Sequence, residues 1–399
     1  MTEVPNEFSV AGHWPGKFDE PGLAAWAQKL RAQLLAPQVS LGLVFMSPRF
    51  FSNAAEVLEL LRLHARIPLL AGCSGKWLIA GDEELEENAG LVLGLYSLPG
   101  AKLTACHLTQ AQVDEANGAG YWHAETGVGP EDTNGWVAFA DPFRMDCEAW
   151  LRDWNEAYAP HPILGGLASG EPNETGTQVY LNGEVFDEGS VAVSVGGPIR
   201  IEGVISQGCT PIGDTWTITR TDRNVIWQIA NRRAYDVLAE TFNKLPPDEQ
   251  RKAQGNLLIG LVVNEYLDEF HRGDFLIRNL MAADPGSGAI AVGALPRVGQ
   301  TIQFQRRDAA TGTEDITALL HRKKRELGSH RIYGGLLCSC NGRGQRMFGS
   351  PNHDARHVQE ALGRFGLTGF FCNGEIGPIG KRSFLHGFTA SLSLFVGKE

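Results

Sequence analysis

The chain has 399 residues, 43% of them apolar, and a formal net charge of −11 at pH 7. This length predicts more than one domain, and the negative charge disfavours nucleic acid as a partner. Residues 1–20 lack a basic start and an apolar segment, and no apolar run of about 18 residues occurs, so we expect neither a secretory signal nor a membrane span. Seven cysteines, an odd number, fit reduced thiols. The composition predicts a globular cytoplasmic protein.

The first predicted elements are a strand, a helix and two further strands. The segment SLGLVFM (residues 40–46) is typical of a buried strand, and residues 52–64 have the apolar spacing of a helix. IPLLAGCSG follows as a second strand that ends in a Gly-rich turn, and residues 89–98 predict a third strand.

The same order of elements returns twice along the chain. It is seen in GWVAFADPF, a helix from about Asp146, HPILGGLASG and SVAVSVGG, and again in IYGGLLCSCNG, HDARHVQEALGRFG, LTGFFCNGEIG and HGFTASLSLFVG. We interpret this as an internal structural repeat in which the first two strands are parallel and the third is antiparallel. The predicted fold class is α/β, with mixed β-sheets flanked by helices, built from repeated strand-helix-strand-loop-strand units in two packed domains.

A separate helix is predicted between the second and third repeats. Ile226, Ile229, Val237, Leu238 and Phe242 have helical spacing, and Pro246 would end a helix of about 20 residues.

The three Gly-rich loops follow the second strand of each repeat, at residues 72–75, 165–170 and 372–377. Ligands bind beyond the carboxyl ends of strands in open α/β sheets, so we expect these loops to line a ligand site. The phosphate-binding P-loop and the nucleophile elbow G-x-S-x-G are both absent from the sequence.

The third loop carries the most distinctive polar chemistry. Glu375 lies among glycines, Arg343 ends the preceding strand of the same repeat, and His386 begins the following one. Two interpretations stay open: the three side chains bind an amino acid or another small zwitterion, or they form a structural ion pair that fixes the loops.

Three cysteines are expected near the same strand ends. Cys338 and Cys340 share one face of a strand, and Cys372 ends the neighbouring strand. They are interpreted as structural thiols, with reactive thiols and metal ligands as the alternatives.

Other charged groups are predicted to be solvated. These are the acidic segment 81–87, the basic segment 321–326 on the exposed side of a helix, and His353 and His357 on a polar helix face.

The sequence resembles the FIST family of sensory modules. The resemblance is carried by GGLLCSCNGRG, GFFCNGEIGP and LHGFTASLSLF, and less strongly by AGCSG, ILGGLASG, GSVAVSVGG and QGCTPIGDTW. It implies a FIST N-terminal domain at residues 35–222 and a FIST C-terminal domain at 223–399, after an N-terminal extension at 1–34. We expect the ligand to be bound by the following residues of the Gly-rich loops and the strand ends: Cys73, Ser74, Cys340, Arg343, Gly344, Cys372, Asn373, Gly374, Glu375 and His386.

The family resemblance implies a small-ligand sensor, with amino acids as proposed ligands. No kinase, F-box or output domain is recognised, so we expect a stand-alone sensor that passes its signal to a separate signalling protein. Three alternatives stay open: a haem-binding nitric-oxide sensor, as in some bacterial members, a protein-binding adaptor, and a hydrolase. The hydrolase would use Cys340 or Cys372 as nucleophile and His386 as base. We favour a binding protein over an enzyme.

Overall fold

A computed structural model describes residues 7–87, 90–171 and 174–398. The chain forms two compact units. The first comprises the residues up to Ile205, Thr317–Leu385 and the residues from Thr389 onward, and the second comprises Ser206–Ile316 with His386–Phe388. Ala89, at the start of a predicted strand, lies outside the described residues.

The first repeat begins the first unit. Its elements are β1 (Ser9–Trp14), α1 (Glu20–Gln33), β2 (Leu41–Met46), a 3-10 helix (Pro48–Asn53), α2 (Ala54–Ala65), β3 (Leu70–Ser74), β4 (Leu78–Ala80), β5 (Glu83–Leu85) and β6 (Leu91–Tyr96). Every residue of β2 is buried, as its continuous apolar run predicts. The predicted helix is confirmed as α2, which ends where Arg66 adopts a left-handed backbone with φ 54°.

The second repeat follows with the same order of elements. They are β7 (Lys102–Leu108), α3 (Gln110–Glu115), α4 (Ala119–Thr126), β8 (Trp136–Ala140), α5 (Cys147–Tyr158), β9 (Ile163–Leu167), β10 (Val179–Leu181), β11 (Glu184–Phe186) and β12 (Ser190–Gly196). The Asp146 carboxylate caps α5 by accepting a hydrogen bond from the Ala149 N–H at 2.9 Å. Trp150, Trp154 and Tyr158 form its buried face.

The chain then runs through β13, the second unit and α8, whose residues from Thr317 onward belong to the first unit. The elements are β13 (Ile199–Ser206), β14 (Cys209–Asp222), β15 (Val225–Ile229), β16 (Arg232–Arg233), α6 (Ala234–Asn243), α7 (Pro247–Ala253), β17 (Leu257–Val262), β18 (Phe275–Asp284), β19 (Ala289–Val292), β20 (Thr301–Arg307) and α8 (Ala309–Leu327). The sheet of the second unit has the strand order β14-β20-β17-β18-β19-β15-β16, and β14 also pairs with β15, which closes six strands into a barrel.

The helix predicted to begin near Ile226 is wrong in its first half. Ile226 and Ile229 lie in β15, and the helix α6 begins only at Ala234. Ala230 and Asn231 adopt left-handed backbone conformations, with φ 49° and 57°, and turn the chain between the two elements. Residues three positions apart lie on opposite faces of a strand, and both Ile226 and Ile229 are buried in β15. Two apolar residues alone did not distinguish a short strand buried on both faces from the start of a helix.

The third repeat completes the first unit. Its elements are β21 (Ile332–Cys340), α9 (Gln345–Phe348), α10 (His353–Leu362), β22 (Leu367–Cys372), β23 (Glu375–Ile379), β24 (Arg382–His386) and β25 (Ala390–Gly397).

The three repeats build three six-stranded sheets with one topology. The strand orders are β1-β6-β2-β3-β10-β11, β7-β12-β8-β9-β23-β24 and β13-β25-β21-β22-β4-β5. In each sheet the two central strands are parallel and the third strand of the repeat is antiparallel, which confirms the predicted repeat and the mixed sheets. The outer hairpin of each sheet comes from a different repeat. The first repeat contributes β4–β5 to the third sheet, the second contributes β10–β11 to the first, and the third contributes β23–β24 to the second.

One glycine marks the same position in all three sheets. A Cβ atom there would lie within 2 Å of a carbonyl oxygen on the parallel neighbour strand. The pairs are Gly72 with Val44 O (1.7 Å), Gly165 with Ala138 O (1.8 Å) and Gly369 with Leu337 O (1.8 Å). These pairs are also strand-register partners, so they align the repeats residue by residue.

Candidate functional site

The Gly-rich loops of the three repeats meet through hydrogen bonds. We call residues 74–77, 168–170 and 372–375 the loop junction. The Ser169 N–H donates to Ser74 O at 3.1 Å, and the Ser169 hydroxyl accepts from the Lys76 N–H at 2.9 Å. The Asn373 side-chain amide donates to Ala168 O at 3.0 Å. The loops from β3, β9 and β22 therefore form one connected structure.

Glu375 begins β23 and is completely buried. Its Oε1 accepts a hydrogen bond from the Cys372 thiol at 3.2 Å, and its Oε2 accepts one from the Thr389 N–H at 2.9 Å. Burying a carboxylate is unfavourable unless hydrogen bonds compensate it, and these donors provide part of that compensation.

The other two repeats place apolar residues where the third has Glu375. The first residue of each contributed hairpin pairs with the residue that follows the marker glycine: Leu78 with Phe370, Val179 with Cys73, and Glu375 with Gly166. Leu78 and Val179 are also completely buried. The fold therefore accepts an aliphatic side chain at this position, and the carboxylate is a special feature of the third repeat.

Arg343 pairs with a carboxylate that the sequence analysis did not identify. Its Nε and Nη2 donate to the two carboxylate oxygens of Asp354 at 2.6 and 2.8 Å, and both side chains are buried. Burial alone would raise the pKa of Asp354, but the charge and hydrogen bonds of Arg343 hold it well below its usual range. The ion pair of this region is therefore Arg343 with Asp354, which lies on α10.

Glu84 is a second buried carboxylate that the sequence analysis missed. It lies in β5, in the hairpin from the first repeat, and caps α10 of the third repeat. Its oxygens accept hydrogen bonds from the N–H groups of His353, Asp354 and Ala355 at 3.1, 2.8 and 3.0 Å. Burial and the nearby Asp354 carboxylate raise the pKa of Glu84 to about 7.

The prediction that the acidic segment 81–87 is solvated is wrong for Glu84, which is 6% exposed. Glu84 lies within a run of acidic residues, and such a run is typical of a solvated segment, so its burial was not predicted. No sequence signal would have identified it, because asparagine is a favoured cap residue and only the structure shows that the Asn352 side chain does not cap α10.

The exposed position predicted for His353 is also wrong. The ring stacks on Phe348 with centroids 3.4 Å apart, and its Nδ1 lies 2.8 Å from Asp354 Oδ1. His353 is 8% exposed because the polar face of α10 is covered at its start by α9 and β5. His357 is half-buried, with its Nδ1 2.6 Å from the backbone oxygen of His353.

All seven cysteines are free thiols. Burial raises the pKa of Cys73, Cys338 and Cys372 well above the usual value, and the Glu375 carboxylate adds to this for Cys338 and Cys372. A nucleophilic cysteine needs a stabilised thiolate, so this environment argues against Cys372 as the nucleophile of a hydrolase. Within residues 7–87, 90–171 and 174–398, no group of three or more His, Cys, Asp or Glu side chains could hold a metal ion.

The ten predicted ligand residues differ in exposure. Asn373 is exposed, Cys340 is half-buried, and the other eight are buried. Nine lie in the first unit, whereas His386 belongs to the second. The Ser74 hydroxyl accepts a hydrogen bond from the Gln178 N–H at 3.1 Å. The Asn341 side chain donates to Asn373 Oδ1 at 2.9 Å and was not among the predicted residues. The role of these residues in binding stays a prediction.

Two cavities of the first unit bear on the haem alternative. They have volumes of about 190 and 570 Å³ and are lined by residues that include neither histidine nor cysteine. Neither therefore offers the axial ligand that haem iron most often takes.

Two family models match consecutive parts of the chain. The FIST N domain matches residues 40–232 and the FIST C domain matches residues 234–378. The sequence-predicted limits of 35–222 and 223–399 stay a prediction. Among the described residues, no helix combines the length and apolar character needed to cross a membrane.

Relatives with similar sequences span almost the whole chain. An uncharacterized protein of Mycobacterium tuberculosis is 35% identical over 373 residues, which cover 93% of this chain and 94% of the relative. One of Mycobacterium bovis is 36% identical over 373 residues, with the same coverage of 93% and 94%. The crystal structure of a cyanuric acid hydrolase from A. caulinodans aligns with a TM-score of 0.35 and 9% identity, covering 98% of this chain and 100% of that chain. A likeness at this level establishes no shared activity.

Proposed function

Because the chain belongs to the FIST family, whose domains are small-ligand sensor modules, we propose that it is a cytoplasmic sensor that binds a small ligand at the loop junction. Binding would be transmitted to a separate signalling protein. Amino acids are the ligand class to test first, because the junction contains a carboxylate, Glu375, and a side-chain amide, Asn373, which is hydrogen-bonded to the neighbouring Asn341.

The observation that carries this proposal is the buried carboxylate of Glu375. Leu78 and Val179 occupy the same position in the other two repeats, so the fold has no general need for a charge there. The exposed Asn373, two residues before Glu375, supplies a polar partner that a ligand can reach, and a ligand ammonium group would have to displace the Cys372 thiol from the buried carboxylate.

The test is a thermal-shift and calorimetric screen of the purified chain against amino acids and small carboxylic acids. A ligand at about 100 times its Kd stabilises the folded state by about 2.7 kcal/mol, so a saturable rise in Tm is expected. The variant Asn373→Ser, which introduces the residue found at Ser169 in the second repeat, should weaken binding.

The matched control is Gln28→Ser, which removes an exposed amide from α1. It should leave the ligand response unchanged. A folded protein that responds to no member of the panel would contradict the proposal. An absorption spectrum of protein expressed with a haem supply tests the haem alternative separately, because bound haem absorbs strongly and amino acids do not.

A further inference from the structure

Two cysteines face each other across the parallel strands that end at the loop junction. We propose that Cys340 and Cys372 form a peroxide-responsive dithiol, in which Cys340 is oxidised first, Cys372 resolves it as a disulfide, and Glu375 takes the proton of Cys372. This modification site is argued from the described geometry alone and does not depend on the proposed function.

The strand register brings only one pair of the three neighbouring thiols into range. Cys340 and Cys372 are direct partners in the pairing of β21 with β22. Neighbouring strands lie about 4.8 Å apart, and a disulfide spans Cα separations of about 4.4–6.8 Å. Cys338 is paired with Phe370, so it lies diagonally from Cys372 at about 8 Å, beyond that range.

The two thiols differ in accessibility and hydrogen bonding. Cys340 is half-buried, and the Gly342 N–H donates to its sulfur at 3.5 Å, a contact that favours negative charge on sulfur. Cys372 is completely buried, and its thiol lies 3.2 Å from Glu375 Oε1 and 3.4 Å from Ser339 O. A small peroxide would therefore reach Cys340 first.

The chemistry balances with hydrogen peroxide as the oxidant. The Cys340 thiolate attacks one peroxide oxygen and breaks the O–O bond, which gives a sulfenic acid and hydroxide. The Cys372 sulfur attacks the Cys340 sulfur while its proton passes to Glu375 Oε1, so that no free thiolate forms in the buried site, and hydroxide is displaced. Protons from the two thiols convert both hydroxides to water, so two thiols and one peroxide give one disulfide and two waters.

The equivalent positions of the other repeats cannot undergo this reaction. In place of Cys340 and Cys372, the first repeat has Ser47 and Gly75, and the second has Asp141 and Ala168. Glu375, the proposed base, is also special to the third repeat. All three groups that the reaction needs therefore occur together at one of the three equivalent sites.

The test is oxidation of the native chain with hydrogen peroxide, followed by alkylation and mass spectrometry. The intact mass should fall by two hydrogen atoms, peptide mapping should link Cys340 to Cys372, and dithiothreitol should reverse the change. Cys340→Ser should abolish the disulfide, whereas Cys372→Ser should leave a sulfenic acid on Cys340 that dimedone traps. Glu375→Gln should slow disulfide formation roughly a hundredfold without slowing sulfenic acid formation.

The control is Cys106→Ser, since Cys106 is also half-buried but faces Ala192 across its strand pair. This variant should form the Cys340–Cys372 disulfide at the unchanged rate. The proposal is overturned if peroxide that oxidises free cysteine produces no Cys340–Cys372 link, or links other cysteines. An unchanged disulfide rate in Glu375→Gln would overturn the role of Glu375 as base.

Discussion

The third repeat differs from the first two in the side chain at the start of the contributed hairpin, although the strand pairing there is the same in all three repeats. Leu78 and Val179 begin their hairpins as buried aliphatic residues, whereas Glu375 begins its hairpin as a buried carboxylate. The residue three positions after the marker glycine also differs, being Gly75, Ala168 and Cys372 in the three repeats. The hydrogen bond from Cys372 to Glu375 joins these two differences.

This difference separates what the fold requires from what the third repeat adds. The marker glycines are shared by all three sheets and are needed for close strand approach. The carboxylate, the thiol and the Arg343–Asp354 pair belong to the third repeat. Function is therefore best sought there, and substitutions can test the separation.

The largest effect is expected from Arg343→Met. This change leaves the Asp354 carboxylate buried without its cation, and breaking a buried pair from one side costs about 3–5 kcal/mol of unfolding free energy. Urea denaturation measures the loss. The control Arg322→Met removes an exposed ion pair with Glu326 on α8 and should cost less than about 0.5 kcal/mol. Equal losses in the two variants would contradict a structural role for the buried pair.

A pH-dependent effect is expected from Glu84→Gln. The pKa of Glu84 is raised from 4.5 to about 7, so its folded form binds a proton more tightly than its unfolded form. Its contribution to stability is fully present below pH 4.5 and is lost as the pH rises through about 7. The shift corresponds to a change of about 3 kcal/mol across this window.

Urea unfolding measured from pH 4.5 to about 7 should show this loss of unfolding free energy in the natural chain. The loss should be smaller in Glu84→Gln, because glutamine cannot ionise. Parallel pH profiles of the two proteins would rule out Glu84 as the titrating group.

Losses of unfolding free energy that are similar to one another are expected from Gly72→Ala, Gly165→Ala and Gly369→Ala. Each new Cβ would lie 1.7 or 1.8 Å from a backbone oxygen, so a strand must move, which costs about 2–3 kcal/mol. Urea denaturation of the three variants compares the repeats directly. If one of the three variants were as stable as the natural chain, the marker glycine would not have the same structural role in all three sheets.

The smallest change in stability is expected from Glu375→Leu, which introduces the residue of the first repeat. Removing a buried charge offsets the lost hydrogen bonds, so the unfolding free energy should change by no more than about 1 kcal/mol. The ligand response and the rate of disulfide formation should both be lost or strongly reduced. A loss of more than about 3 kcal/mol would instead make Glu375 a structural residue.

The repeat could be predicted from the sequence because its signals are local. Continuous apolar strands such as β2 and an amphipathic helix such as α5 depend on neighbours within a few residues. The exchange of hairpins between sheets could not be predicted. β4 and β22 are distant in sequence, and no local sequence pattern indicates that they pair.

The same limit applies to the site. Glu375, Cys372 and Arg343 stood out because charged or reactive residues interrupt a Gly-rich segment. Glu84 did not, because its burial depends on α10, which lies more than two hundred residues away in sequence. Short turns were also not predicted. An example is the turn at Ala230 and Asn231, which follows the strand β15 and precedes the helix α6.

The exchange of hairpins has a consequence for the protein while it is being translated. The hairpin of residues 78–85 has no sheet to join until residues 367–372 have been made, and β9 stays an edge strand until β23 emerges. A nascent chain therefore exposes unpaired strand edges for most of its synthesis. We expect its folding to finish late and cooperatively, and products that terminate before the third repeat to depend on chaperones or to aggregate.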